Sequence, residues 1–381
     1  MQKCFLFFSA QYFPTAGGVE RFTNNLARTL LRHGHRVIVV TSSLAQLPAH
    51  EIDRDGIEIF RLPSWPFMNG RLPLLYFNAE FRRTEMCLWA NRIDYCIINT
   101  YFYPLSMYAA RQVRKRNIPA LILNHGSTWL MAGNKLLSLA GQLYERAAVH
   151  LCRHYCNRFF GVSVAAQEWM KTFSICPEGI ITNAIDPDEV TSQINMDINW
   201  RLQCGLPGDA LVIAFVGRMI PEKGVNQLTR AMATIRKTHP NAYLLMAGTG
   251  PLLEKYRDSA PDGVFLLGTR PYPDILALLK QANVFCLPSR SEGFACTVLE
   301  AAALGCPIIT TATGGSPQLL QDPRYGILLE NMEAGTISNA CIQALDHPEW
   351  CQIGADLTRK RLMECYTWEA AFSQLSHAFG L

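Results

Sequence analysis

The chain has 381 residues, 49% hydrophobic and 17% charged, a balance that suits two globular cores rather than one. Its longest clean apolar run, "ALVIAFVG" from Ala210, has about eight residues, far short of the roughly 20 needed to span a bilayer. A net charge of +4 makes no case for nucleic acid, and thirteen cysteines scattered singly through apolar segments read as buried free thiols, not a disulfide framework.

In chain order, "CFLFFSA" reads as a first buried strand rather than a signal peptide, because it runs into the loop "PTAGG" with no small-residue cleavage site. Cytosol is the default location. A helical pattern, "GGVERFTNNLARTLLRHGH", follows, and then "RVIVVTS", "DYCIINT", "PALILNH" and "RFFGVS". Short β-rich runs separated by helical stretches predict a parallel sheet with crossover helices. The segment "LLSLAGQLYERAAVHLCRHYCNRFF" reads as a helix. That periodicity sets His150 and His154 about 200° away from Cys152 and Cys156, so the four cannot share a metal ion. A polar stretch from Asn183 to Ala210 forms a seam, after which the rhythm restarts: "ALVIAFVG", "AYLLMAG", "GVFLLG", "NVFCLP", "PIITT" and "YGILL". The prediction is α/β: two doubly wound, Rossmann-like domains facing each other across a cleft. Ligands of such sheets sit at the carboxyl ends of the strands.

Candidate ligand groups fall at those ends. Gly17 and Gly18 precede a helix and either make a tight turn or let the backbone approach an anion. The dinucleotide fingerprint G-x-G-x-x-G is absent, there and at Gly248 and Gly250. Arg218 and Lys223, in "GRMIPEKG", put two cations at a strand end with Glu222 as the one acidic neighbour in sequence, which suits a diphosphate. His125 and Gly126 end another strand, where the histidine is either structural or a ligand group. In "SEGFACTVLE", Glu292 and Glu300 would lie roughly 80° apart on one continuous helix. With Glu292 in a loop and the helix starting near Ala295, both acids and the helix N-terminus can face one polyhydroxylated, phosphate-bearing ligand. Two D-x-D strings, Asp53–Asp55 and Asp186–Asp188, read as a turn and as part of the seam.

Taken together, "GGVERF", "NHG", "NAID", "GRMIPEKG" and "EGFACTVLE" resemble, in that order, the motifs of the retaining glycosyltransferases of family 4, over nearly the whole chain. The resemblance implies the GT-B fold, with an acceptor-side domain at 1–185, a nucleotide-sugar domain at 186–365 and a tail, 366–381, packing back on the first domain. It implies that Arg218 and Lys223 bind the donor diphosphate and that Glu292 contacts the donor sugar. Gly293, Phe294 and Ala295 stand beside that sugar, and Glu300 holds the ribose. Gly17 and Gly18 face the diphosphate from the first domain, and His125 reaches the transferred sugar. Asn183-Ala184-Ile185-Asp186 lacks the usual glycine of that motif. Gly126 and Ser127 stand where many members carry an acid, which puts acceptor handling in question.

The expected activity is transfer of a hexose or N-acetylhexosamine from a UDP- or GDP-sugar, with retention and without a metal or other cofactor, because the cationic loop can stabilise the leaving diphosphate. An epimerase of the same fold and a non-catalytic nucleotide-sugar binder remain alternatives. Residues 1–185 carry 20 lysines and arginines against 11 acids, and the remainder 15 against 20. Arg82, Arg83, Arg92, Arg111, Arg114, Lys115 and Arg116 mingle with Trp65, Phe67, Leu74, Leu75, Tyr76, Phe77, Phe81 and Trp89. Either these aromatics are core, or the face meets an anionic membrane and the acceptor is a lipid-linked saccharide of surface-polysaccharide synthesis. The enzyme would then sit on the inner face of the cytoplasmic membrane; a soluble saccharide acceptor is the other possibility.

Overall fold

A run of five fully buried residues, Cys4–Phe8, forms strand β1 at the middle of the first sheet, as an apolar segment with both faces covered must. The computed structural model describes all residues except 16, 44–46, 69 and 130–134, together with the side chains of 135–137. The chain divides into two units, Met1–Asn183 with Trp368–Leu381, and Ala184–Thr367.

The first unit contains α1 (Gly18–Arg32), β2 (Arg36–Ser43), β3 (His50–Ile52), β4 (Glu58–Phe67), β5 (Leu72–Leu75), α2 (Ala79–Trp89) and β6 (Tyr95–Asn99). It continues with α3 (Pro104–Lys115), β7 (Ala120–Asn124), α4 (Lys135–Tyr155), β8 (Phe159–Gly161), α5 (Val164–Lys171) and β9 (Gly179–Ile180). Its strands run in the order β3-β4-β2-β1-β6-β7-β8-β9, with β5 on β4. All pairings are parallel except those of β3 and β5 with β4. The order reverses between β1 and β6. On β4 the burial fades along the strand: Ile59 to Leu62 are buried, whereas Trp65 to Phe67 leave the core in a hairpin with β5. The predicted helix through His150 is α4. Cys152 and Cys156 are buried against the β-sheet side, His150 and His154 are exposed, and burial pushes the Cys152 thiol up to about 12.

The second unit comprises α6 (Pro187–Ser192), α7 (Trp200–Gln203), β10 (Leu211–Val216), α8 (Val225–Thr238), β11 (Ala242–Ala247), α9 (Pro251–Arg257), β12 (Val264–Gly268), α10 (Tyr272–Gln281) and β13 (Val284–Leu287). After these come α11 (Cys296–Ala303), β14 (Ile308–Thr311), α12 (Ser316–Leu319), β15 (Ile327–Leu329), α13 (Ala334–Asp346) and α14 (Pro348–Cys365). Its sheet is wholly parallel in the order β12-β11-β10-β13-β14-β15, that is 3-2-1-4-5-6 counted within the unit. That order has its switch point between β10 and β13, and a ligand crevice opens outside the carboxyl ends of those strands. A last helix, α15 (Trp368–Phe379), returns to the first unit and packs on α1. Phe372 stacks on His33 at 3.9 Å, and Phe379 meets Phe5 and Tyr95.

Candidate functional site

At the switch point of the second unit, three strand-end loops are tied into one platform. The loop after β10 carries Arg218, exposed, and then a single 3₁₀ turn, Pro221–Lys223. Gly224 closes it at φ 72°, and a Cβ there would stand 2.2 Å from the carbonyl oxygen of Pro288. Only glycine meets both demands, the left-handed backbone and the close approach. The loop after β13 answers with Arg290 N–H donating to the Glu222 carbonyl at 2.7 Å. The Ser289 hydroxyl lies 3.3 Å from that same carbonyl and 3.2 Å from the Ser291 carbonyl. From β14, the Thr311 hydroxyl donates to the Ser289 carbonyl, and Gly314 lies against the Glu292 and Gly293 carbonyls.

The platform brings Lys223 and Glu292 together. The ammonium Nζ donates to Oε1 in an ion pair whose side chains are only 15% and 10% exposed. This pairing was not legible in sequence, where Glu222 was the only visible acidic neighbour. Gly293 stays partly exposed, and Phe294 and Ala295 are buried, with Phe294 edge-on to Tyr366 at 5.2 Å and flush against Gly315. Ala295 is the N-cap of α11 and makes no side-chain capping bond to it. Glu300 sits within α11 at 4% exposure. Arg218 makes no ion pair among the described residues.

The first unit holds a second cluster, at its own switch point. Gly17 is the N-cap of α1 and Gly18 its first residue; both are within reach of solvent. Sequence reading missed Glu20, which is 7% exposed and folds back over this helix end. A Cβ at Gly17 would lie 2.4 Å from Glu20 Oε2. Burial raises the Glu20 pKa, opposed by N–H bonds from Glu20 itself and Gly17. The signal was available: a glutamate at the third helical position reaches back to the N-cap amide, as in a capping box.

His125 follows β7, half-buried, with Nε2 2.8 Å from Asn99 Oδ1. The Asn99 amide in turn donates to Thr23 Oγ1 at 2.9 Å, and that hydroxyl to the Val19 carbonyl at 2.7 Å. Because Asn99 spends its amide hydrogens on α1, its oxygen faces His125, and Nε2 carries the imidazole hydrogen. Phe22 packs edge-on to the ring at 4.9 Å, and burial drives the His125 pKa down to about 3. The ring is neutral, and Nδ1 keeps a lone pair. Asn124 fixes the following turn by donating to the Gly126 carbonyl at 2.8 Å.

The D-x-D strings have local structural duties. Asp53 Oδ1 accepts from the amides of Asp55 and Ile57, and Asp186 Oδ1 caps α6 through the amides of Asp188 and Glu189. Among the described residues no group of three His, Cys, Asp or Glu side chains is placed to hold a metal. Of the aromatic residues singled out for a membrane face, Phe81 is core at 2% exposure, because it closes the hydrophobic side of α2. Trp65, Phe67, Tyr76 and Phe77 are exposed at 60%, 52%, 44% and 65%. No helix among the described residues is long and apolar enough to cross a membrane.

Residues 16–189 match the family model Glycosyltransferase Family 4, and residues 197–361 match Glycosyl transferases group 1. A relative from Corynebacterium glutamicum, the GDP-mannose-dependent monoacylated alpha-(1-6)-phosphatidylinositol monomannoside mannosyltransferase, is 26% identical over 88% of this chain and 87% of its own. Sucrose-phosphate synthase from Thermosynechococcus elongatus superposes with a TM-score of 0.77, at 21% identity, over 99% of this chain and 98% of that one. HepE from Anabaena, solved in complex with UDP, gives 0.76 at 18% identity over the whole of both chains.

Proposed function

The chain belongs to the glycosyltransferases of family 4, with the GT-B fold, and from that premise we propose that it moves a hexose or N-acetylhexosamine from a UDP- or GDP-sugar to a lipid-linked saccharide. The observation that carries this reading is the Lys223–Glu292 pair, held at the switch point by three interlocked loops. A cation and an acid sit side by side where one ligand must present a diphosphate and a sugar.

Scission of the anomeric C–O bond leaves negative charge on the nucleoside diphosphate and positive charge on the sugar. Lys223, Arg218 and the N-terminus of α11 stabilise the first. When the diphosphate engages Lys223, Glu292 is released to the sugar, whose developing charge it offsets. Glu300 takes the ribose hydroxyls. For the first unit, family membership implies that Gly17 and Gly18 approach the diphosphate and that His125, neutral at physiological pH, accepts from a hydroxyl of the transferred sugar through Nδ1. The acceptor hydroxyl attacks on the face the leaving group departs from, so configuration is retained. The positive charge needed comes from the chain itself, and the reaction proceeds without a metal.

Support for a lipid acceptor comes from the basic first unit, its exposed aromatic hairpin, and the phosphatidylinositol mannoside acceptor named for the Corynebacterium relative. The same features support a peripheral enzyme on the inner leaflet, serving surface-polysaccharide synthesis. The test is a panel of nucleotide sugars screened by thermal shift, then turnover with and without lipid-linked acceptors, with and without EDTA, and NMR of the product anomer. Isomerised donor in the absence of acceptor would turn the reading to an epimerase. An inverted product or loss of turnover in EDTA would overturn the mechanism above.

A further inference from the structure

The first unit contains a groove of about 680 Å³, within the size range of small-molecule sites. The motifs of the family do not touch it. Its apolar walls come from four elements: Leu74, Leu75 and Phe77 at the hairpin, Phe81 on α2, Met107 and Tyr108 on α3, and Leu151 on α4. Two guanidinium groups, Arg82 and Arg111, stand at its edge, exposed and without ion-pair partners among the described residues. Glu85, its one acid, is engaged by the Tyr108 hydroxyl at 2.7 Å.

The groove does not end in solvent-loving surface. Leu151 is the last of a stripe along α4, in which Leu139, Leu143, Ala147 and Leu151 recur every fourth residue and are all exposed. The three leucines are exposed by 55%, 58% and 46%. At 1.5 Å per residue the stripe is about 18 Å long. Arg146, His150, Arg153 and His154 border it, while the only acid of α4, Glu145, is turned inward to the Tyr101 hydroxyl at 2.9 Å. At the opposite end, Phe77 joins the groove to the exposed hairpin that carries Trp65 and Phe67. One apolar path thus runs from hairpin through groove to helix, with basic residues beside it on α4 and at the groove edge.

We propose that this groove receives a hydrocarbon chain of a phosphate-bearing membrane lipid, with the lipid phosphate held between Arg82 and Arg111. The proposal rests on the reading that the enzyme works at an anionic membrane. Charge selects the occupant: the groove's one acid is engaged, and its two guanidinium groups have no ion-pair partners among the described residues, which match the phosphate of a lipid with net negative charge and not a zwitterionic or neutral surface. The α4 stripe and the hairpin lie on the bilayer surface, and the groove draws one chain out of it.

The probe is the full chain mixed with phosphatidylglycerol/phosphatidylcholine vesicles that contain a trace of phosphatidylglycerol bearing a diazirine on its acyl chain. Sedimentation and photolabelling are read on the same sample, at low salt. Expected is co-sedimentation, with label on peptides spanning 74–77, 107–111 and 151–155. Arg111→Glu and Leu151→Glu, both at exposed positions, should each cut that label at least tenfold while the melting temperature stays within about 2 °C. If the protein sediments but the label is confined to 65–68 or spread evenly, the groove proposal fails and the membrane reading stands. If the protein stays in the supernatant, the membrane reading fails and the groove proposal with it. Concentration-dependent dimers that Leu151→Glu dissolves, with no groove label, would instead assign the groove to a second copy of the chain.

Discussion

Replacing Lys223 tests the platform most severely, because it removes a cation from both the ligand and Glu292. The two side chains are 15% and 10% exposed, so the pair is nearly buried. Breaking a buried pair from one side costs about 3–5 kcal/mol, and the residual exposure brings this to about 2–3 kcal/mol. For a unit the size of residues 184–367, 1 kcal/mol shifts the melting temperature by roughly 2–4 °C, so Lys223→Met should melt about 4–12 °C lower. Turnover should fall as well. A charge-assisted hydrogen bond contributes about 1.5–3 kcal/mol, and about 1.4 kcal/mol is tenfold in rate, so the loss is about ten- to a hundredfold. Lys223→Met/Glu292→Gln separates the two effects, since it removes both charges. Its melting temperature should recover to within about 2 °C of the parent, while turnover, measured at least 15 °C below the melt by the assay's temperature choice, stays down about a hundredfold or more. A double variant no more stable than Lys223→Met would refute the pairing as a source of stability. Turnover within about threefold of the parent in Lys223→Met would refute the leaving-group role.

Glu292→Gln should lower kcat, and Glu300→Gln should mainly weaken binding of free nucleoside diphosphate; equal nucleotide affinity in parent and Glu300→Gln would contradict the ribose role. The His125 pKa is lowered in the fold to about 3 from an unfolded value of about 6.5, so the unfolded chain takes the proton first as pH falls. Its stabilising contribution is complete above about pH 6.5 and is lost towards pH 3 by about 1.4 kcal/mol per unit. Between pH 6.5 and 5.0 urea midpoints should therefore report about 2 kcal/mol more loss in the parent than in His125→Gln. Glu20, with a raised pKa, has the opposite sign: its ionised form costs stability as pH rises above about 4.3, and Glu20→Gln should flatten that slope in urea titrations at pH 4 to 7. Gly224→Ala combines a left-handed φ with a 2.2 Å contact on the Pro288 carbonyl, and circular-dichroism melts should show destabilisation of about 2 kcal/mol or more.

Strands such as Cys4–Phe8 and Leu211–Val216 were legible because parallel strands, covered on both faces, spell continuous apolar runs. The hairpin of β4 and β5 escaped notice because Pro63 and Pro66 interrupt its pattern and the last three residues of β4 are exposed. Helix faces were readable where periodicity decides them, as for Cys152 and Cys156 against His150 and His154. Periodicity also predicts nothing about partners far away in sequence. Lys223 and Glu292 are 69 residues apart, and only the 3-2-1-4 strand order makes their loops neighbours. Gly314 and Gly315 went unread for the same reason: the carbonyls and the ring they must accommodate belong to another loop. Phe81 shows the limit of clustering in sequence, which left core and surface as alternatives that only packing on the apolar side of α2 decides.

The return of α15 to the first unit has a consequence for the order in which the protein is made. His33, Phe5 and Tyr95 rest against Phe372 and Phe379, and the Gln374 side chain accepts from the Thr182 amide at 2.8 Å. On the ribosome, the first 183 residues emerge long before these partners exist. Until Trp368–Leu381 have been translated, the nascent first unit must carry a bare apolar strip on α1, while the second unit, continuous in sequence, can close as soon as Thr367 is clear of the exit tunnel.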